Sequence, residues 1–150
     1  MFDFGLATEL PQCENHTDST LYDLTGKTGS LRYMAPEVVN MKPYNAKADV
    51  YSFGILFWEM LSLKKPFSGY NVSMHRREVV DNNARPQIHP KWPIDLSLLI
   101  CKAWDQNLHG RPTFDKIFQV LREMVNNGGN INGSLHDLSN RTARSLKMNQ

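Results

Sequence analysis

The sequence predicts a mainly α fold, entered through a long loop at its N-terminal end. Three observations carry that expectation. Residues 6 to 33 are rich in Thr, Ser, Asp, Asn and Gly and show no sustained apolar period. From Ala46 onward, apolar residues recur at steps of three and four. No stretch alternates apolar and polar residues as a half-buried strand would.

A loop longer than about 15 residues inside a compact domain is either functional or disordered. After it comes Ala35-Pro36-Glu37-Val38-Val39, with a proline suited to the first turn of a short helix. Ala46 to Leu63 is the strongest helix. Val50, Phe53, Gly54, Phe57, Trp58 and Leu61 recur at helical spacing, and Tyr51, Ile55, Leu56 and Met60 fill the other faces. A helix apolar nearly all round is expected to be buried. Lys64-Lys65-Pro66 ends it, the two lysines marking a solvated helix end. Asn71 to Asn82 predicts a more polar helix with Val72, Met74, Val79 and Val80 inward. Arg85 to Pro93 holds three prolines and predicts a loop. Leu96, Leu99, Ile100, Ala103 and Trp104 mark another helical stripe. Thr113 is placed to cap a last helix, with Phe114, Ile117, Leu121, Met124 and Val125 on its inner face. The Asn/Gly run from Asn126 to Gly133 closes the domain, so that residues 126–150 are expected to be a flexible polar tail.

Composition narrows the function. The 150 residues are 41% hydrophobic and 21% charged, which suits one globular domain large enough to need no disulfide staples. A net charge of +2 favours neither nucleic acid nor a membrane surface as partner. Cys13 and Cys101 stand apart, with no zinc spacing and no Cys-x-x-Cys pair, and read as free thiols in a reducing compartment. No apolar run approaches the ~18 residues that span a bilayer. The N-terminus lacks the basic start and apolar run of a signal peptide. A soluble, cytoplasmic protein is expected.

Four short motifs carry chemistry. Asp3-Phe4-Gly5 offers a hard carboxylate for magnesium, an aromatic to pack beneath it and a glycine to turn the backbone. Alone, such a tripeptide is an ordinary turn far more often than a metal loop. The others are Gly29-Ser30-Leu31-Arg32-Tyr33-Met34-Ala35-Pro36-Glu37, Asp49-Val50-Tyr51-Ser52-Phe53-Gly54, and Gly110-Arg111-Pro112-Thr113-Phe114. In this order and spacing they resemble the protein kinase signature set from its magnesium loop onward. The resemblance runs from Asp3 to about Val125. Thr28 to Glu37 and Trp104 to Phe114 resemble the tyrosine-kinase-like group of serine/threonine kinases most closely.

That resemblance implies the helical C-lobe of the protein kinase fold (an α+β parent), with the N-terminal loop as its activation loop and residues 1–125 as a partial kinase domain. Asp3, Phe4 and Gly5 would be cofactor-binding, Asp3 holding the Mg2+ that bridges the phosphates of ATP. Leu6 to Met34 would form the activation segment. Thr25 and Thr28 are its first phosphorylation candidates, followed by Ser19, Thr20 and Tyr22. Ser30 would contact a catalytic aspartate that this sequence lacks. Glu37 and Arg111 would form a buried ion pair, and Asp49 would accept hydrogen bonds from the backbone of the catalytic loop. A protein substrate would meet the activation segment, and an upstream kinase is a possible partner.

Other residues are read as scaffold. Trp58 and Trp104 are assigned to the core. His75-Arg76-Arg77 echoes a His-Arg-Asp catalytic motif but follows Asp3 and lacks the aspartate, so it is a decoy. The glycine-rich nucleotide loop, the strand lysine with its helix glutamate, and the His-Arg-Asp loop are all absent from the sequence. Phosphoryl transfer depends on positioning and charge stabilisation, so the chain by itself is expected to be inactive. Phe2 stands where a small residue usually faces the adenine pocket, which implies a start inside a longer reading frame. The alternative is a catalytically dead interaction or regulatory module. A further expectation is that the isolated chain folds poorly, because the face that meets the catalytic loop would be open.

Overall fold

The computed structural model describes residues 5, 7–10, 19–24, 26 and 29–126. Among them lie five α-helices, a π-helical turn and one turn of 3-10 helix. The α-helices are α1 (Pro36–Val39), α2 (Lys47–Ser62), α3 (Val72–His75), α4 (Ile94–Ala103) and α5 (Phe114–Asn126). Extended pairing among the described residues is limited to one antiparallel bridge, Tyr22 with Tyr44.

Local chemistry sets the helix ends. Ala35 is extended (φ −64°, ψ 147°), as a residue before proline must be, and Pro36 opens α1. Asn45 Oδ1 accepts from the Lys47 N–H at 3.0 Å, satisfying an orphan donor at the start of α2. Its Nδ2 donates to the Thr20 carbonyl at 3.1 Å, tying the N-terminal loop to the same helix end. Leu63 ends α2 in the left-handed region at φ 54°, before Pro66 can interrupt anything. Asn71 caps α3 through a 2.8 Å bond from Met74 N–H, and Thr113 Oγ1 accepts from Lys116 N–H at 3.3 Å at the start of α5.

The core forms two clusters on opposite sides of α2. One joins Ala48, Tyr51, Ile55 and Trp58 to Ala35, Val38 and Val39 of the α1 region, and to Ile100 and Trp104. The other joins Val50 to Leu99, Ala103, Ile117, Val120 and Met124. Gly54 lets α2 and α4 meet closely. A Cβ built there would lie 2.9 Å from the Ala103 methyl. Trp58 and Trp104 are both core residues.

Three expectations need correction. First, α2 is not buried on all sides: Leu56 is 48% and Met60 63% exposed, and Leu61 and the adjoining Leu63 are also open. A helix is buried only where other elements reach it, and α1, α4 and α5 leave one side of α2 uncovered. Second, Asn71 to Asn82 is not one regular helix. After α3 the chain widens into a π turn over Arg76–Asp81, closed by Asn82 N–H to Arg77 O at 3.0 Å. The extra residue keeps Val79 and Val80 buried while leaving Val72 72% exposed. Third, the inner face of α5 is Ile117, Val120 and Met124. Val125 points to solvent, 80% exposed, and Phe114 is only half-buried, meeting α2 edge-on at Phe53 with ring centroids 5.9 Å apart. Within the N-terminal loop, Tyr22 is buried and pairs with Tyr44 through two backbone hydrogen bonds.

Candidate functional site

Arg111 organises a buried polar assembly. Its side chain is fully buried and that of Glu37 is 11% exposed. The guanidinium meets the carboxylate in a fork, Nη1 to Oε1 at 2.6 Å and Nη2 to Oε2 at 2.8 Å. Nη1 also donates to the Lys47 carbonyl at 2.9 Å, and Nε to the Asp105 carbonyl at 2.9 Å. One residue therefore ties α1, the start of α2 and the turn after α4 together. Its backbone is extended (φ −75°, ψ 142°), a conformation that the following Pro112 favours.

Tyr51 lies between two cations. The guanidinium of Arg85 is 5.0 Å from its ring centroid and that of Arg111 is 5.1 Å away. Burial pushes the Tyr51 hydroxyl up to about 12, although both guanidiniums pull the other way. That hydroxyl has no hydrogen-bond partner. Arg85 is itself anchored by the carbonyls of Trp104, Val79 and Ala84 and by Gln106 Oε1.

The segment before α1 is strapped onto α2. Ser52 Oγ donates to the Tyr33 carbonyl at 2.8 Å, and Tyr33 Oη donates to Glu59 Oε2 at 2.6 Å. The Glu59 carboxylate, as acceptor of that bond, raises the Tyr33 pKa, with burial adding to it. Arg32 Nη1 reaches the Pro66 carbonyl.

Between this strap and α2 lies a cleft of about 220 Å³ lined by Ser30, Tyr33, Met34, Tyr44, Asp49 and Ser52, among others. Asp49 is exposed as a residue, yet its surroundings desolvate it enough to raise its carboxyl above the ordinary value. Burial is the sole cause of that rise, with no cation or hydrogen bond offsetting it.

The sequence that builds this site matches a known family. The family model for protein tyrosine and serine/threonine kinases covers residues 1–121. This chain belongs to the protein kinase family. Kinase relatives from two organisms align with it. Serine/threonine-protein kinase VIK of Arabidopsis thaliana is 39% identical over 123 residues, 81% of this chain and 27% of that kinase. Serine/threonine/tyrosine-protein kinase HT1 of the same plant is 36% identical over 121 residues, 81% of this chain and 29% of its own length. Dual specificity protein kinase shkE of Dictyostelium discoideum is 35% identical over 124 residues, 82% of this chain and 17% of its own. The chain thus spans less than a third of the length of these kinases.

Against the kinase motifs, the structure brings Glu37 and Arg111 together and places Ser30 and Asp49 on one cleft. Gly5 is described, exposed and in a turn. Asp3, Phe4, Thr25 and Thr28 lie outside the described residues, as does the tail after Asn126. Among the described residues no group of three His, Cys, Asp or Glu side chains is placed to hold a metal ion. Asp49, a single carboxylate, is too small a donor set for magnesium, so the described residues do not fit that ion by themselves. No helix among them is long and apolar enough to cross a membrane.

Sequence reasoning missed the strap, Tyr33 to Glu59 and Ser52 to Tyr33, and the Arg85 half of the tyrosine sandwich. A signal for Arg85 was available. Arg85-Pro86 repeats the dipeptide Arg111-Pro112, and both arginines end on Tyr51.

Proposed function

We propose that this chain is the activation-segment and helical-lobe part of a protein kinase whose full-length form transfers the γ-phosphate of ATP to serine or threonine hydroxyls of proteins. The observation that carries this reading is the buried Glu37–Arg111 fork. It anchors α1 to the lower helices, and so supports the strap that puts Ser30 and Asp49 on one cleft. In this reading Ser30 contacts a catalytic aspartate supplied by chain outside this sequence. The Asp49 carboxylate accepts backbone N–H groups of the same catalytic loop, and those hydrogen bonds would offset the desolvation that raises its pKa. Asp3 contributes a magnesium ligand, with the remaining donors coming from nucleotide phosphates and from that outside chain. Thr25 and Thr28 are the sites at which an upstream kinase would phosphorylate the activation segment, whose far end meets the protein substrate. The setting is cytoplasmic, and residues 126–150 form a polar tail after a kinase portion of 1–125.

The isolated chain is inactive in this reading. Calorimetric titration with Mg·ATP should show no saturable binding to the 150 residues, and a longer chain carrying the nucleotide-binding lobe and catalytic loop should bind and phosphorylate. Micromolar, magnesium-dependent binding by the short chain would overturn the inactivity. A longer chain with no phosphotransfer would overturn the kinase reading itself.

The uncovered apolar side of α2 favours a second reading, an interaction module. Leu56, Met60 and Leu63 are exposed there, and patches of this kind mark contact surfaces. A stable product of this length in cells, associated with a partner that Leu56→Asp releases, would support that reading over the first.

A further inference from the structure

His75 is buried to 4% exposure, and neither ring nitrogen has a hydrogen-bond partner. Buried imidazole nitrogens are ordinarily satisfied, so two orphans on one ring call for a physical account. The residue ends α3 where the chain widens into the π turn. Phe67 of the loop after α2 packs on it edge-on, with centroids 5.1 Å apart. Phe67 itself is held at φ 51°, a strained setting for an aromatic residue. The neighbouring Pro66 carbonyl receives Arg32, the residue before the strapped Tyr33.

The charges facing His75 are cationic. Arg32, from the segment before α1, and Arg85, from the loop after the π turn, both act against its protonation, and burial does so more strongly. On its own element, Arg76 points to Asn40 and Arg77 pairs with Glu78. In α1, which packs on the π turn, the Glu37 carboxylate is taken by Arg111. Among the described residues, no carboxylate acts on His75 to favour an imidazolium.

We propose that His75 is a proton-operated latch: neutral, it closes the corner where the Arg32–Tyr33 strap meets the loop after α2, and protonated, it opens that corner. Once charged, the ring has to reach water. The least disruptive route displaces Phe67 and Pro66, which removes the acceptor of Arg32 and slackens the strap that carries Ser30. The sign follows from linkage. Burial and the two guanidiniums hold His75 below its ordinary 6.5 in the closed form. The open form therefore binds the extra proton, and closure weakens as pH falls through that ordinary value. If the closed form stays neutral throughout, going from about pH 7.5 to about pH 5.5 raises the opening equilibrium about tenfold.

Amide hydrogen exchange on the full chain at those two pH values, corrected for intrinsic exchange chemistry, reads this directly. Peptides over 30–35 and 66–76 should lose protection by up to about tenfold in acid, while α4 should not change. His75→Phe, which keeps an aromatic ring and cannot ionise, should abolish the acid effect. His75→Gln is the second variant, serving if the phenylalanine cannot be accommodated. Equal acid loosening in the wild type and in either folded variant would overturn the latch. So would an NMR titration placing His75 at or above its ordinary value.

Discussion

Removing the carboxylate or the guanidinium of the Glu37–Arg111 fork should be far more damaging than its surface count of one ion pair implies. Arg111→Met deletes two bonds to Glu37 and one each to the Lys47 and Asp105 carbonyls. It leaves a nearly buried carboxylate with no cation. Breaking one side of a buried pair costs about 3–5 kcal/mol. Glu37→Met should cost a similar amount, because it strands a fully buried guanidinium. The double substitution removes both charges together. Its cost should fall below the sum of the singles by about 2–3 kcal/mol, the range expected of directly coupled residues. Urea unfolding read by the fluorescence of Trp58 and Trp104, both buried, gives the three free energies. Whole domains are stable by only about 5–15 kcal/mol, so the milder Glu37→Gln, which keeps one acceptor, should be run alongside. Additive singles of about 1 kcal/mol or less would refute the reasoning, since that is how exposed pairs behave.

Other perturbations follow from the same geometry. Gly54→Ala should destabilise by about 1–3 kcal/mol in a urea titration, because its methyl would sit 2.9 Å from Ala103 Cβ across the α2–α4 contact. Tyr51→Phe should be neutral or stabilising by about 1 kcal/mol in the same assay, since it removes a buried hydroxyl with no partner and keeps the ring between Arg85 and Arg111. Ser52→Ala should cost about 1 kcal/mol and speed amide exchange in the strap, through loss of the 2.8 Å bond to Tyr33. Asp49→Asn should be no less stable than the wild type at neutral pH. The folded form raises this carboxyl above 3.8, so protonation favours folding, and the charged group weakens it once pH exceeds the raised value. The advantage of the variant should therefore shrink as pH falls toward 3.8, and a destabilised variant at neutral pH would contradict the desolvation account.

Much of the architecture was legible without coordinates. The helical period of residues 46–63 and 96–104, Pro36 at a helix start and Thr113 at another are local signals, and α1, α2, α4 and α5 appear where those signals stand. Burial was less legible. The apolar residues of α2 predict a helix buried on every side, yet Leu56 and Met60 are open, because exposure depends on which neighbours arrive and not on the residue. The π turn at Arg76–Asp81 was invisible for a related reason: one extra residue per turn is selected by how Val79 and Val80 must seat, not by propensity.

The candidate site divides in the same way. The ordered motifs carried the resemblance to the kinase family, and that resemblance in turn named Ser30, Glu37, Asp49 and Arg111, since each motif is a short local string. Only the tertiary structure decided that Arg85 joins Arg111 on Tyr51, that Tyr33 hangs from Glu59, and that His75 is sealed without an acceptor. These contacts pair residues remote in sequence, and their strength comes from the loss of water around them. A string of residue types determines which charges and rings are available, whereas the packed fold determines which of them lose solvent together.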